Sequence, residues 1–352
     1  MKHDIDQLVR PGIRDLKPYS SARDEYSGGG ARMIFLDANE NPFDTGVNRY
    51  PDPHQRKLKE QISTLRSVDT DQILLGNGSD EVLDLLFRVF CEPGRDVVIT
   101  LPPTYGMYKV LAGVNAVRHI EIPLTAGFQP DVDEILRQAP ATAKILFLCS
   151  PNNPTGNVLE RRRILELLDR FPGLVVIDEA YIDFAEDDGY VPLLEKYPGL
   201  VVTQTLSKAY GMAAIRLGIC LANPRVISYM KRVKPPYNVN ELSQKAAREA
   251  LSDTARTEAM IRELIREREQ LRAALSEIRM VQELFPSDAN FILARVDDAG
   301  LRYRQLLQKG IVVRDRSSQL HCENTLRFTV GTPEENAVLL QTLRELEKQT
   351  SV

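Results

Sequence analysis

The sequence predicts an α/β protein built on a mostly parallel sheet with helices wound on both faces. Three observations carry that prediction. Unbroken apolar runs recur, as in Val97–Thr100, Lys144–Cys149, Leu174–Ile177, Leu200–Val202 and Leu217–Ala222. Runs without polar alternation read as strands buried on both faces. Segments with helical spacing of apolar residues lie between them, as in Val82–Phe90 and Glu160–Phe171. Strands alternating with helices imply crossover connections and a parallel sheet. Several of these strands also run straight into short turns rich in Gly, Pro and Asn, the edge where open α/β sheets place their ligands.

The totals narrow the partners. The chain has 352 residues and a formal net charge of -4, which argues against a nucleic-acid or anionic-membrane partner. Cys91, Cys149, Cys220 and Cys322 are widely spaced and lie mostly in apolar runs. They read as reduced core thiols of a cytoplasmic protein, not as a disulfide framework. His3, His54, His119 and His321 have no ligand spacing, so no metal site is expected. No apolar run reaches the ~20 residues of a membrane span, and Met1-Lys2-His3-Asp4 does not open an apolar leader.

Taken in order, residues 1–40 read as an arm broken by Pro11, Pro18 and Gly28-Gly29-Gly30, with one short strand over Met33–Leu36. A polar turn, Asp37-Ala38-Asn39-Glu40-Asn41-Pro42, leaves it, and Arg49-Tyr50-Pro51-Asp52-Pro53 forms a loop stiffened by two prolines. Tyr50 reads equally as a loop tyrosine packed on proline. Ile73-Leu74-Leu75 is a strand that enters Gly76-Asn77-Gly78-Ser79-Asp80-Glu81 and then a helix. Such a helix N-terminus presents free N–H groups and binds phosphate readily; a plain capped helix fits the same residues.

Val97–Thr100 delivers Leu101-Pro102-Pro103-Thr104-Tyr105-Gly106, with Tyr105 placed either to stack on a flat ring or to join the core. A strand is expected over Val117–Pro123. Lys144–Cys149 runs into Ser150-Pro151-Asn152-Asn153-Pro154-Thr155-Gly156, and Leu174–Ile177 delivers Asp178. A carboxylate at a buried strand end requires a partner: a structural salt bridge, or the protonated nitrogen of a pyridine ring. Residues 241–279 read as mostly helical. The tail reads strand (Phe291–Leu293), helix (Leu301–Gln308), strand (Ile311–Arg314), strand (Thr325–Val330) and helix (Pro333–Lys348), a small α/β unit that places Arg314 and Arg327 on strands.

The chemistry centres on Lys208. It follows Leu200-Val201-Val202 and is flanked by Thr205 and Ser207, with Arg216 eight residues on. A lysine leaving a buried strand is partly desolvated, which lowers its pKa and frees a nucleophilic amine. Amine, hydroxyls and guanidinium together suit a phosphorylated aldehyde cofactor.

Ser-Pro-Asn-Asn-Pro-Thr-Gly at 150–156, Asp-Glu-Ala-Tyr at 178–181 and Ser-Lys at 207–208 with Arg216 resemble the aspartate-aminotransferase-like, fold type I family of pyridoxal-phosphate enzymes. Over nearly the whole length the chain resembles the histidinol-phosphate aminotransferase branch. The matching stretches are Leu-Asp-Ala-Asn-Glu-Asn-Pro at 36–42, Arg-Tyr-Pro-Asp-Pro at 49–53, Gly-Ile-Val-Val-Arg at 310–314 and Leu-Arg-Phe-Thr-Val-Gly-Thr at 326–332. Gly211-Met212-Ala213-Ala214 departs from the family's usual Leu-Ala-Gly stretch, without removing a chemical group.

The resemblance implies a large seven-stranded domain over about 41–250, a small domain over about 251–352 with part of the 1–40 arm, and pyridoxal 5'-phosphate as cofactor. It implies that Lys208 forms the Schiff base and moves the proton, that Asp178 holds the pyridine nitrogen, and that Asn153 and Tyr181 meet the ring's phenolic oxygen. Tyr105 would stack on the ring. Gly78, Ser79, Asp80, Thr205, Ser207 and Arg216 would hold the phosphate. Tyr19, Asn39, Asn153, Arg314 and Arg327 would meet the substrate, and Tyr50 would come from the second subunit of a homodimer. The implied reaction is transamination of histidinol phosphate with 2-oxoglutarate. Aromatic-amino-acid transamination, threonine-phosphate decarboxylation and a silent pyridoxal-phosphate sensor are the alternatives. A sensor of that kind needs a DNA-binding helix-turn-helix, for which the broken arm is too short. A nucleotide-binding protein would need a lysine or a ribose-binding acid that Gly76-Asn77-Gly78-Ser79 lacks.

Overall fold

The structure is a computed structural model that describes residues 4–17 and 34–350. Two one-turn helices, α1 (Ile5–Leu8) and α2 (Pro11–Arg14), begin the chain, and α3 (Arg56–Arg66) precedes the first strand. The large sheet then builds up as β1 (Ile73–Asn77), α4 (Gly78–Phe90), β2 (Val97–Thr100), α5 (Met107–Val114), β3 (Arg118–Glu121), α6 (Val132–Gln138), β4 (Ala143–Cys149), α7 (Arg161–Arg170), β5 (Leu174–Asp178), β6 (Leu200–Thr205) and β7 (Leu217–Ala222). Its strand order is β1-β7-β6-β5-β4-β2-β3. Only β7 runs antiparallel to its neighbours.

Alternate residues of one strand enter different cores, as a strand's period of two requires. Leu146, Leu148, Val175 and Ile177 belong to one apolar cluster, while Ile145, Phe147, Leu174 and Val176 belong to the other. Both faces are therefore covered, which is why the strands read as continuous apolar runs.

Helices α8 (Pro224–Val233), α9 (Glu241–Ser252) and α10 (Thr254–Ser276) lead to a second sheet. It comprises β8 (Val281–Leu284), β9 (Phe291–Val296), β10 (Arg314–Asp315) and β11 (Thr325–Thr329), in the antiparallel order β10-β11-β9-β8. Helices α11 (Ala299–Gln308) and α12 (Pro333–Thr350) complete this part. Its apolar cluster includes Leu271, Leu275, Ile292, Phe328 and Leu343. A small cluster of Tyr181, Phe184, Ala209, Ala289 and Phe291 packs the two parts against each other beside Lys208.

Three expectations are corrected. Residues 34–36 form no strand; Ile34 and Leu36 are 82% and 86% exposed, and no strand among the described residues pairs with them. The strand expected over 311–314 starts only at Arg314, where pairing with Arg327 begins. The strand expected over 117–123 is the shorter edge strand β3. Among the described residues no helix is long and apolar enough to cross a membrane.

Candidate active site

The carboxyl ends of β1, β2, β4, β5 and β6 converge on a cavity of about 540 Å³ that β10 and β11 close from the small sheet. That size suits a cofactor with a small substrate. Ser79, Asp80, Tyr105, Asn153, Asp178, Tyr181, Thr205, Ser207, Lys208, Arg216, Arg314 and Arg327 all line it, although they come from widely separated parts of the chain. Gly78 lies immediately beside it, at the start of α4. Among the described residues no group of His, Cys, Asp or Glu is placed to hold a metal.

Lys208 lies just past β6, with Nζ 5.7 Å from the Tyr181 ring centroid. Burial lowers its pKa, and the Arg327 guanidinium adds to the effect. The neutral amine is therefore more accessible than in an ordinary lysine. Asp178 ends β5 and is only 3% exposed. Its Oδ2 accepts from the Tyr108 hydroxyl at 2.8 Å, and Oδ1 accepts from the Ala180 N–H at 3.2 Å. Burial pushes its pKa up to about 6 against these hydrogen bonds. Among the described residues no cation pairs with it, so none of them supplies the salt-bridge alternative. The carboxylate faces the cavity as a buried anion in want of a positive partner.

A corner suited to an anion forms where β1 turns into α4. Gly78 has φ +76, and a Cβ there would lie 2.6 Å from Arg216 Nη2. Glycine thus allows both the turn and the close approach of the guanidinium. Gly218 is equally constrained, since its Cβ would meet the Gly78 carbonyl carbon at 2.3 Å. Glu81 accepts from the Asn77 N–H and closes the turn. Arg216, held at φ +53, lies 3.7 Å from Asp80 Oδ2. The Tyr105 hydroxyl donates to Asp80 Oδ1 at 3.1 Å. The Thr205 hydroxyl donates to the Leu217 carbonyl at 3.0 Å and accepts from the Ser207 N–H at 3.1 Å. That engagement makes Thr205 a support for Ser207 more than a free donor.

At the opposite end, Asn153 bridges two groups. Its amide donates to the Tyr181 hydroxyl at 3.5 Å, and its carbonyl accepts from Arg327. Arg327 also lies 4.9 Å from the Phe291 ring centroid. Burial raises the Tyr181 pKa, while Arg327 opposes the rise.

Two expected residues lie elsewhere within one chain. Asn39 and Tyr50 line a separate surface cavity with Asn240 and Leu242, and Tyr50 stacks on Tyr237 at 4.6 Å. Tyr19 lies outside the described residues. Sequence reasoning missed Tyr108, which sits on the buried face of α5 and looks like any core aromatic. It also missed Arg316 and Gln319 in the cavity wall; the two-residue step from Arg314 to Arg316 was the available signal.

Comparison with known proteins agrees with this arrangement. The family model described as aminotransferase class I and II matches residues 33–343. A histidinol-phosphate aminotransferase of Flavobacterium johnsoniae is 57% identical over 97% of this chain and 99% of its own length. The crystal structure of the histidinol-phosphate aminotransferase from Clostridium acetobutylicum superposes with a TM-score of 0.80 at 24% identity, covering 86% of this chain and 92% of that one. That from Sinorhizobium meliloti, in complex with pyridoxal-5'-phosphate, gives 0.78 at 22% identity, covering 86% and 84%. The chain belongs to the class I and II aminotransferases.

Proposed function

We propose that this protein is a pyridoxal-phosphate-dependent aminotransferase that converts histidinol phosphate and 2-oxoglutarate into imidazole-acetol phosphate and glutamate. The observation that carries the cofactor is Asp178, a buried carboxylate with no ion-pair partner among the described residues, set in the same cavity as a desolvated lysine. Asp178 would accept from a pyridinium N–H, and the Gly78–Arg216 corner suits a phosphate. When bound, pyridoxal phosphate supplies an aldehyde for primary amines and a cationic ring that withdraws electrons.

The chain's own residues do the rest. The backbone at Gly78, Ser79 and Asp80, with Ser207 and Arg216, anchors the phosphate at a positive helix end. Asp178 would keep the proton on the ring nitrogen, and Tyr108 keeps Asp178 oriented. Tyr105 would cover the ring face, while Asn153 and Tyr181 would hydrogen-bond the phenolic oxygen. The Lys208 amine would move the proton between the substrate carbon and the cofactor's aldehyde carbon. Arg314 and Arg327 receive the anionic end of each substrate in turn.

The choice of histidinol phosphate rests on the 57% identical relative of that name. In this reading residues 41–250 bind the cofactor, and residues 251–352 bring the arginines over it. The reading also includes a homodimer in the cytoplasm. The exposed side chains of Ile34, Leu36, Phe43, Tyr50 and Leu242, the last two lining one surface cavity, support an apolar interface. The test is a donor comparison on one preparation of holoprotein, following cofactor absorbance and released carbon dioxide. Histidinol phosphate is expected to give the highest kcat/KM, with no carbon dioxide. A higher value for phenylalanine or tyrosine, or decarboxylation of threonine phosphate, contradicts the assignment.

A further inference from the structure

We infer that Arg316 is a third substrate-binding arginine, and that it sets the preference for a dianionic phosphate over a neutral or singly charged group. Arg314 and Arg327 stand directly opposite each other across the β10–β11 pair. The Arg316 N–H donates to the Thr325 carbonyl at 2.9 Å, so the extended pairing continues one step past β10. With a side-chain period of two, Arg314, Arg316 and Arg327 share one face, and all three line the cavity that holds Lys208.

Like charges directly opposite on a sheet destabilise it. This cluster nevertheless has no carboxylate in ion-pair contact among the described residues. The intervening Asp315 turns its Oδ1 to the Ser317 N–H at 2.8 Å. Burial lowers the Arg316 pKa, and Arg314 lowers it further. Arg327 is lowered by burial, with Arg316 and Arg314 contributing in the same direction. Such crowding is relieved by an anion in the cavity.

The unmet hydrogen bonds point the same way. The Nε–H donors of Arg316 and Arg327 are both buried without a hydrogen-bond partner among the described residues. Buried polar groups of this kind are normally satisfied, and two guanidinium donors left open in one cavity mark the place of an acceptor ligand. A phosphate monoester carries close to two charges near pH 7 and three strong acceptor oxygens. Two arginines suffice for a carboxylate; the third matches the extra charge and oxygen of a phosphate.

This inference rests on the proposed use of a phosphorylated amine. Its test compares Arg316→Gln and Arg316→Lys with wild-type holoprotein. The kcat/KM ratio of histidinol phosphate to histidinol is measured, together with the Kd of inorganic phosphate by calorimetry. Arg316→Gln is expected to lower the ratio by about 10- to 100-fold and to weaken phosphate by about tenfold, since charged hydrogen bonds are lost on one substrate only. Arg316→Lys is expected to fall between, having the charge without the fork. Cofactor absorbance should be unchanged in both variants. A ratio and a phosphate Kd unchanged in Arg316→Gln overturn the role of Arg316. A wild-type enzyme that does not favour the phosphate ester overturns the substrate assignment instead.

Discussion

The Tyr108 hydroxyl donates to Asp178 Oδ2 at 2.8 Å, with both side chains buried beneath the cavity. The ring of Tyr108 is itself fixed by stacking on Phe147 at 4.9 Å. The tyrosine therefore stabilises the ionised form of a carboxyl that burial pushes the other way. Tyr108→Phe removes the hydrogen bond and keeps the packing. It is expected to reduce kcat by about tenfold and to move the acid limb of the pH–rate profile to higher pH, because Asp178 must be ionised to work. An unmoved limb would show that Tyr108 acts only in packing.

Asp178→Asn separates stability from function. The folded pKa of about 6 lies above the usual 3.8. The folded state thus loses stability as pH rises from about 4 to 6, and does not regain it above. Cofactor-free Asp178→Asn should be more stable than the cofactor-free parent at pH 8, by about 1–3 kcal/mol, and the gain should vanish below pH 4. Its half-reaction should slow by at least ~100-fold. Urea unfolding at pH 8 and pH 4, with stopped-flow half-reactions, measures both. Full activity in this variant would remove the electrostatic role given to Asp178.

Some of this was legible in the sequence and some was not, for physical reasons. Strands β4 to β7 were readable because burial on both faces leaves no polar positions to confuse the pattern. The residues around Lys208 were readable because strand ends, glycine turns and isolated charges stand out against apolar runs. Strand β8 escaped because only half of its residues are partly covered and the rest are exposed. Ile34–Leu36 misled, since three apolar residues in a row do not make a strand without a neighbour. Tyr108 was invisible because a core aromatic and a hydrogen-bonding aromatic share the same helical spacing. Arg316 sits in a polar stretch, Arg314–Gln319, that reads as surface until β11 is placed beside it.

Lys59 offers a prediction away from the cavity. It lies in α3, is 5% exposed, and its pKa is pushed down to about 7 by burial, with Lys231 and Lys234 adding to the effect. The folded pKa lies below the usual 10.5. The folded state carries the whole penalty below pH 7 and recovers stability as pH rises from 7 towards 10.5. Lys59→Met should stabilise the protein by about 2 kcal/mol at pH 7, with the difference shrinking by pH 10. Denaturant midpoints at the two pH values check this; a destabilised variant would mean that the ammonium has an unrecognised partner.

Tyr50 and its surroundings address the dimer. If Tyr50 completes the partner's site in a two-fold dimer, mixing Lys208→Ala with Tyr50→Phe places both defects in one site and neither in the other. Activity should rise towards about one quarter of the wild-type level at equal mixing, given free exchange of identical interfaces. A mixture no more active than its parents rules the crossing out.

The central claim is that the Lys208 amine is the group that holds the cofactor and moves the proton. Borohydride reduction of the holoprotein, followed by proteolysis and mass spectrometry, tests it most directly. The account predicts that the pyridoxyl mass is found on the peptide bearing Lys208, and that Lys208→Ala retains cofactor through its phosphate without being labelled. A pyridoxyl label on any other lysine of the wild-type protein would contradict it.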